Sequence, residues 1–358
     1  MKNKLLLEFA GRLMRHPAIA CHEHAVRDEV ESICREHRLV HRRDTFGNIL
    51  VTLKTAPRLR PVVLSAHMDH PGFEIQKQSG THSWEARFRG GVPESYFVPG
   101  TSVRLLPGNA VARVGRRLDK ARKTYRLNSA TTDALAKFAV WDLPSFKIKQ
   151  GRIHGRACDD LIGVAAILAV MAELRKTKAK VNLVGAITRA EEVGFLGALA
   201  LAAKRTLPQN ALVISLETSR ELPGSIMGQG VILRTGDKAS IFNSDATRYL
   251  AEVAAEIQMG NKAFKFQRAL MSGGTCEATA YQEYGYQSAA VCVALGNYHN
   301  CGEGNRIEAE FVSVHDASSM VQLLVVAARR MREYTPLVAR LRKRLQGFLA
   351  EARLSLNG

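Results

Sequence analysis

After Gly155 the chain alternates apolar strands with helices, and that alternation limits the folds open to it. VNLVGAIT (181–188), ALVISLE (211–217) and SAAVCVAL (288–295) read as core strands, and VVLSA (62–66) reads the same way earlier in the chain. Strands this uniformly apolar are covered on both faces, so the expected fold is α/β, a mostly parallel central sheet with helices on both faces. DLIGVAAILAVMAEL is apolar nearly all round and predicts a buried helix. Periodicity predicts further helices at 3–16 and 24–37, over LGALALAAK, ATRYLAEVAAEIQ and EATAYQEYG, and at 308–331 and 335–353. RLVHRR and NILVTLK predict two strands.

From 73 to 154 the texture changes. WEARFR, TSVRLL, NAVARV, KFAVWDL and FKIKQGRIHG are short alternating stretches separated by Gly, Pro and Asn, the pattern of a small antiparallel β-barrel-like domain. The expected division is one discontinuous domain, 1–72 with 155–358, carrying 73–154 as an insertion.

Open parallel sheets bind ligands beyond the carboxyl ends of their strands, and the polar clusters of this chain fall there. His67 and Asp69 follow VVLSA, Glu191 and Glu192 follow VNLVGAIT, Glu217 ends ALVISLE, and His299 follows SAAVCVAL after GNY. Asp159 and Asp160 stand just before the buried helix, where Asp160 is placed to cap it. Two imidazoles and three carboxylates make a ligand set for two divalent ions of zinc type, one carboxylate being shared. Successive side chains of a turning backbone point different ways, which leaves Glu192 to ligate and Glu191 to act as general base on a water over the site. Asp69 is placed to orient the His67 ring.

Composition narrows the partners. No apolar run is long enough to cross a bilayer, so no membrane partner is expected. Six cysteines without a C-x-x-C pair read as free thiols of a cytoplasmic protein. The net charge of +18 is partly local: 112–126 carries seven Lys/Arg against one Asp, and 328–344 carries seven against one Glu. Such a field attracts polyanions, but no nucleic-acid motif accompanies it, and a solvated basic surface is the leading reading.

SAHMDHPGFEI, GRACDDLIGVAA, TRAEEVGFLGA, ISLETS, SGGTCEATA and ALGNYHN, spread in order over residues 65–300, resemble the glutamyl/deblocking (tetrahedral) aminopeptidases. These are co-catalytic di-metal peptidases related to leucyl aminopeptidases and carboxypeptidase-type deacylases. The resemblance implies two divalent ions, zinc with cobalt or manganese as substitutes. It implies His67, Asp159 and Glu217 on one ion and Asp159, Glu192 and His299 on the other, with Asp159 as the bridge, Glu191 as the base and a cis peptide after Asp159. It further implies hydrolysis of the N-terminal bond of short peptides, a homo-oligomer (dimer or dodecamer), and an insertion that shapes substrate and assembly. Three positions depart from the family pattern. Glu217 stands where the family has Asp, Cys276 also where it has Asp, and ALGNYHN lacks a proline and an arginine before the histidine. Glu217 matches the carboxypeptidase and N-acyl amino acid deacylase relatives, which makes that activity the alternative; an inactive scaffold or polyanion-binding protein is the second. The basic helix after 335 is additional to the family's usual ending.

Overall fold

The computed structural model describes residues 2–356, with side chains from 4 to 352. Helices α1 (Lys2–Leu13) and α2 (His24–Glu36) lead into a hairpin of β1 (Val40–Arg43) and β2 (Ile49–Lys54), followed by β3 (Val62–His67). Then come β4 (Gly72–Gly80), β5 (Ser83–Arg89), β6 (Ser102–Leu106), β7 (Val111–Asp119), β8 (Thr124–Ser129) and β9 (Phe138–Trp141). The hairpin β10 (Lys147–Lys149) and β11 (Arg152–Gly155) precedes α3 (Cys158–Lys176), β12 (Asn182–Thr188), α4 (Leu196–Ala203) and β13 (Leu212–Arg220). The rest is β14 (Val231–Gly236), α5 (Ser244–Gly260), β15 (Phe266–Leu270), α6 (Glu277–Glu283), β16 (Gln287–Gly296), β17 (Glu310–Ser313), α7 (Val314–Arg329) and α8 (Tyr334–Leu356).

Among the described residues, eleven strands form one sheet in the order β1-β2-β12-β3-β13-β16-β17-β11-β10, with β14 on β16 and β15 on β14. Its centre, β12-β3-β13-β16, is parallel throughout. The pairings outside this centre are antiparallel, except that of β14 with β15. Every residue of β3 is buried, and its two faces meet different helices. Val62, Leu64 and Ala66 belong to the core that also holds residues of α1, α2, α3, α5 and α7, while Val63 belongs to the core shared with α4 and α6. Sixteen residues of α3 are buried, which is why its sequence shows no polar stripe.

Strands β4 to β9 close a separate barrel in the order β4-β5-β8-β7-β6-β9. It has its own aromatic core, including Phe73, Trp84, Phe88, Phe97, Tyr125 and Trp141. The stretch 146–155, read from sequence with this β segment, instead supplies β10 and β11 to the large sheet, where β11 pairs with β17. The run 308–331 also differs from the helix expected: it opens as strand β17, and α7 begins only at Val314. Ser313 caps α7 by accepting from the Asp316 N–H. Sheet pairing thus overrides the helical period at its start. No helix among the described residues is long and apolar enough to cross a membrane.

Candidate metal centre

The parallel register brings distant residues to one edge of the sheet. Ser215 of β13 stands opposite Ser65 of β3, so Glu217 and His67 come level two residues on. Thr188 pairs with His67, which puts the turn carrying Glu191 and Glu192 directly beyond it. The Asp159–Asp160 peptide is cis; neither residue has helical backbone angles, and Asp160 accepts from the Gly163 N–H as the cap of α3.

The side chains converge. Nε2 of His67 lies 3.4 Å from Asp159 Oδ1 and 3.9 Å from Glu191 Oε2. Nε2 of His299 lies 3.5 Å from Asp159 Oδ2 and 3.3 Å from Glu192 Oε1. Asp159 therefore turns one oxygen to each imidazole. Two groups of ligating atoms result, His67–Glu191–Glu217 and Asp159–Glu192–His299, each within 4.8 Å. Glu191 thus joins the His67 group, which the sequence reading assigned to His67, Asp159 and Glu217.

Hydrogen bonds at the other ring nitrogens fix both imidazoles. Nδ1 of His67 faces the Asp69 carbonyl at 3.1 Å, with Asp69 Oδ1 at 3.6 Å. Nδ1 of His299 faces the Gly91 carbonyl at 2.9 Å, from the loop after β5. Both arrangements leave Nε2 for the site.

Two buried acids hold the turn that carries the glutamate pair. The Ala190 N–H donates to Glu23 at 3.1 Å, and those of Glu191 and Glu192 donate to the two Asp69 oxygens at 2.9 and 3.1 Å. Glu23 also accepts from Arg189. Ala190 is thereby kept at φ +53° and Gly194 at +114°, a tight reversal that sends two adjacent carboxylates into the site. Asp69 thus orients the glutamate turn as well as the His67 ring. Glu310, fully buried, accepts from the Asp159 N–H at 3.1 Å. Glu23 and Glu310 were not among the residues expected from sequence. His70 bonds Asn300 and belongs to neither group.

Charge in this site is out of balance. Burial pushes the Glu192 carboxyl up to about 7 and Glu217 to about 8, and drives Glu191 well above the usual range, with neighbouring acids adding repulsion. Burial opposes ionisation of Asp159 too, but the two imidazoles facing its oxygens hold it low. Burial disfavours the His299 cation, yet Glu192 and Asp159 raise it to about 10. Asp159 Oδ1, Glu192 Oε1 and Glu217 Oε1 are buried without a hydrogen-bond partner, each a cost of about 1–3 kcal/mol or more. Divalent cations answer that deficit. Donors about 2.0 Å from a tetrahedral ion stand about 3.3 Å apart, close to the spacing of the Asp159 and Glu192 oxygens from the imidazoles. The residues fit a pair of metal ions.

Beside Glu217 lies a cavity of about 50 Å³ lined by Arg220, Arg234, Gly273, Gly274, Thr275 and Tyr298. Arg234 is buried, its Nε has no partner, and NH1 reaches only Ser219 Oγ at 3.3 Å. The nearby Asp237 is committed elsewhere, to the N–H groups of Ala239, Ser240 and Cys276 and to the Thr279 hydroxyl.

Known proteins share this architecture. The TET1 peptidase of Pyrococcus horikoshii, which assembles into a tetrahedron or an octahedral shell, superposes with a TM-score of 0.75 at 21% identity over 90% of this chain and 99% of that one. An aminopeptidase of Desulfurococcus kamchatkensis gives 0.76 at 20% over 94% and 98%. A TET aminopeptidase from a marine-sediment thaumarchaeon gives 0.77 at 19% over 92% and 99%. At these identities the likeness establishes the fold. The sequence profile of M42 glutamyl aminopeptidases matches residues 134–323, from β9 through most of α7 and including every candidate ligand except His67. The chain belongs to the M42 glutamyl aminopeptidase family and is a metal-dependent aminopeptidase.

Proposed function

We propose that the chain removes N-terminal residues from short peptides at two divalent ions, held by His67, Asp159 and Glu217 and by Asp159, Glu192 and His299. The observation that carries this reading is Asp159, whose two oxygens face two different imidazoles. Ions bound there would polarise the scissile carbonyl and acidify water; zinc suits the donor set, and cobalt or manganese can replace it. Glu191 takes the proton of the attacking water and returns it to the leaving nitrogen. Burial and the neighbouring acids raise the proton affinity of its carboxylate, which strengthens the ionised form as a base. Asp69 serves the chemistry by holding Glu191 and Glu192 at their N–H groups.

The barrel segment, within the insertion 73–154, shapes the substrate entrance and the assembly, since Gly91 beside it steadies His299. The chain forms a homo-oligomer, in line with the assemblies of its structural relatives. It works in the cytoplasm, where its six free cysteines stay reduced.

Substrate choice turns on Arg234. A buried guanidinium lacking a carboxylate partner is costly, and an acidic N-terminal side chain entering the cavity would supply one, consistent with the glutamyl description of the family. We expect Arg234→Met to lower kcat/KM for a glutamyl substrate by about 10–100-fold, the value of a hydrogen-bonded charge, while a leucyl substrate changes little; equal losses on both would remove the specificity role.

The same guanidinium fits a peptide's terminal carboxylate, which favours a carboxypeptidase or N-acyl amino acid deacylase as second reading. Zinc-loaded enzyme assayed on free-amine and acyl-blocked dipeptides separates the two. Turnover confined to free amines is the expected result, and preference for blocked ones establishes the alternative. Purified protein that binds no divalent ion would leave only a scaffold or polyanion binder.

A further inference from the structure

Helix α8 begins as part of the body and ends as an overhang. Its first turns are anchored: Leu337 is buried, and Arg340 pairs with Glu252 and Glu256 of α5. Beyond Leu341 every residue with a described side chain is exposed, except the half-buried Ala352. Yet the apolar stripe continues along the same face, through Leu345, Phe348 and Leu349, which are 54%, 58% and 54% exposed. At 3.6 residues per turn, Arg344 lies on one flank of this stripe and Arg342 on the other, with Lys343 behind.

The body beside the overhang is basic too. A groove between α5, α8, β14 and β15 is lined by Arg248, Arg268, Arg340, Arg344 and Glu252, with Leu341 in its wall; Arg248 pairs with Asp245 and Arg340 with Glu252 and Glu256. Arg268 and Arg344 have no carboxylate within ion-pair distance among the described residues. Ile241 and Leu270, both largely exposed, stand over Gly236 at its edge.

We propose that α8 and this arginine groove dock on an anionic lipid surface. A helix with an apolar stripe edged by cations lies in the plane of a bilayer interface, its leucines and phenylalanine among the acyl chains and its cations at the phosphates. Charge decides between occupants. A second copy pairing this stripe across a two-fold axis would bring Arg342, Lys343 and Arg344 toward their own counterparts, at a cost in repulsion. Nucleic acid would satisfy the arginines but leave Leu345, Phe348 and Leu349 in water. A surface both anionic and apolar answers both features, and a lipid interface is one. The earlier expectation of no membrane partner rested on the length needed to span a bilayer, which does not bear on a helix lying along one.

The test is flotation of the full-length protein with vesicles of phosphatidylcholine alone, or with a quarter phosphatidylglycerol, at 50 and 500 mM salt. Expected is binding to the anionic vesicles only, lost at high salt. Leu345→Asp with Phe348→Asp should reduce the bound fraction at least tenfold while peptidase turnover stays unchanged, since neither residue touches the metal centre. Arg342→Glu with Arg344→Glu should do the same. Equal binding to neutral vesicles, or undiminished binding by both variants, overturns the proposal. So does a fall in oligomer mass caused by the Asp variant without any vesicle binding, or retention on duplex DNA but not on vesicles.

Discussion

Glu191→Ala is expected to retain two metal ions per chain and to lose turnover by about 10³–10⁴-fold, near the upper range of general acid–base catalysis. The pairing of these readouts matters because the geometry admits two roles. Glu191 Oε2 stands 3.9 Å from His67 Nε2 and groups with His67 and Glu217, as a ligand would. Its neighbour Glu192 stands closer to its own histidine, at 3.3 Å. Asp159 Oδ1 stands closer to His67 than Glu191 does, so the His67 ion has an acid without it. Metal analysis alongside kinetics divides the possibilities. A variant that keeps both ions but not the rate identifies the base, and one that loses an ion together with the rate makes Glu191 a ligand. Glu191→Gln keeps the volume and the oxygen donor, and should resemble the alanine variant if proton transfer is the role.

The convergence of the candidate ligands was legible in the sequence because the sheet obeys a simple rule. Apolar strands end where ligands gather, so VVLSA, VNLVGAIT, ALVISLE and SAAVCVAL point to His67, Glu191, Glu192, Glu217 and His299 without knowledge of their contacts. The supports were not legible. Glu23 reaches Ala190 across 167 residues, Glu310 reaches Asp159 across 151, and Gly91 reaches His299 across 208. Their local sequence has no period or motif, since each is defined by what it meets. The same physics explains β14 and β17. VILRTG (231–236) is buried at four of its first five positions, but Arg234 breaks its apolar pattern. EFVS (310–313) is short and adjoins a helix whose period extends back into it. In both cases, pairing with β16 settles a choice that local preference leaves open.

Asp159→Asn is expected to abolish turnover and to weaken both ions together, unlike any other ligand variant. His299→Ala or Glu192→Gln should weaken one ion only, and His67→Ala the other, because each faces Asp159 from one side. Wild-type protein at a thousandfold excess of zinc over Kd gains about 4 kcal/mol of stability, read as a rise in Tm. The asparagine variant should lose most of that rise while keeping its fold, since the side chain is isosteric and the Glu310 bond to its backbone N–H is untouched. Without metal it should also melt lower than the metal-free wild type. The Asp159 carboxylate lies between two imidazoles held in their charged form by acidic neighbours, and removing its charge leaves those cations buried with less compensation. A stepwise result, one ion lost and the other bound at wild-type affinity, would mean that Asp159 serves a single ion and that the second is completed by Glu191.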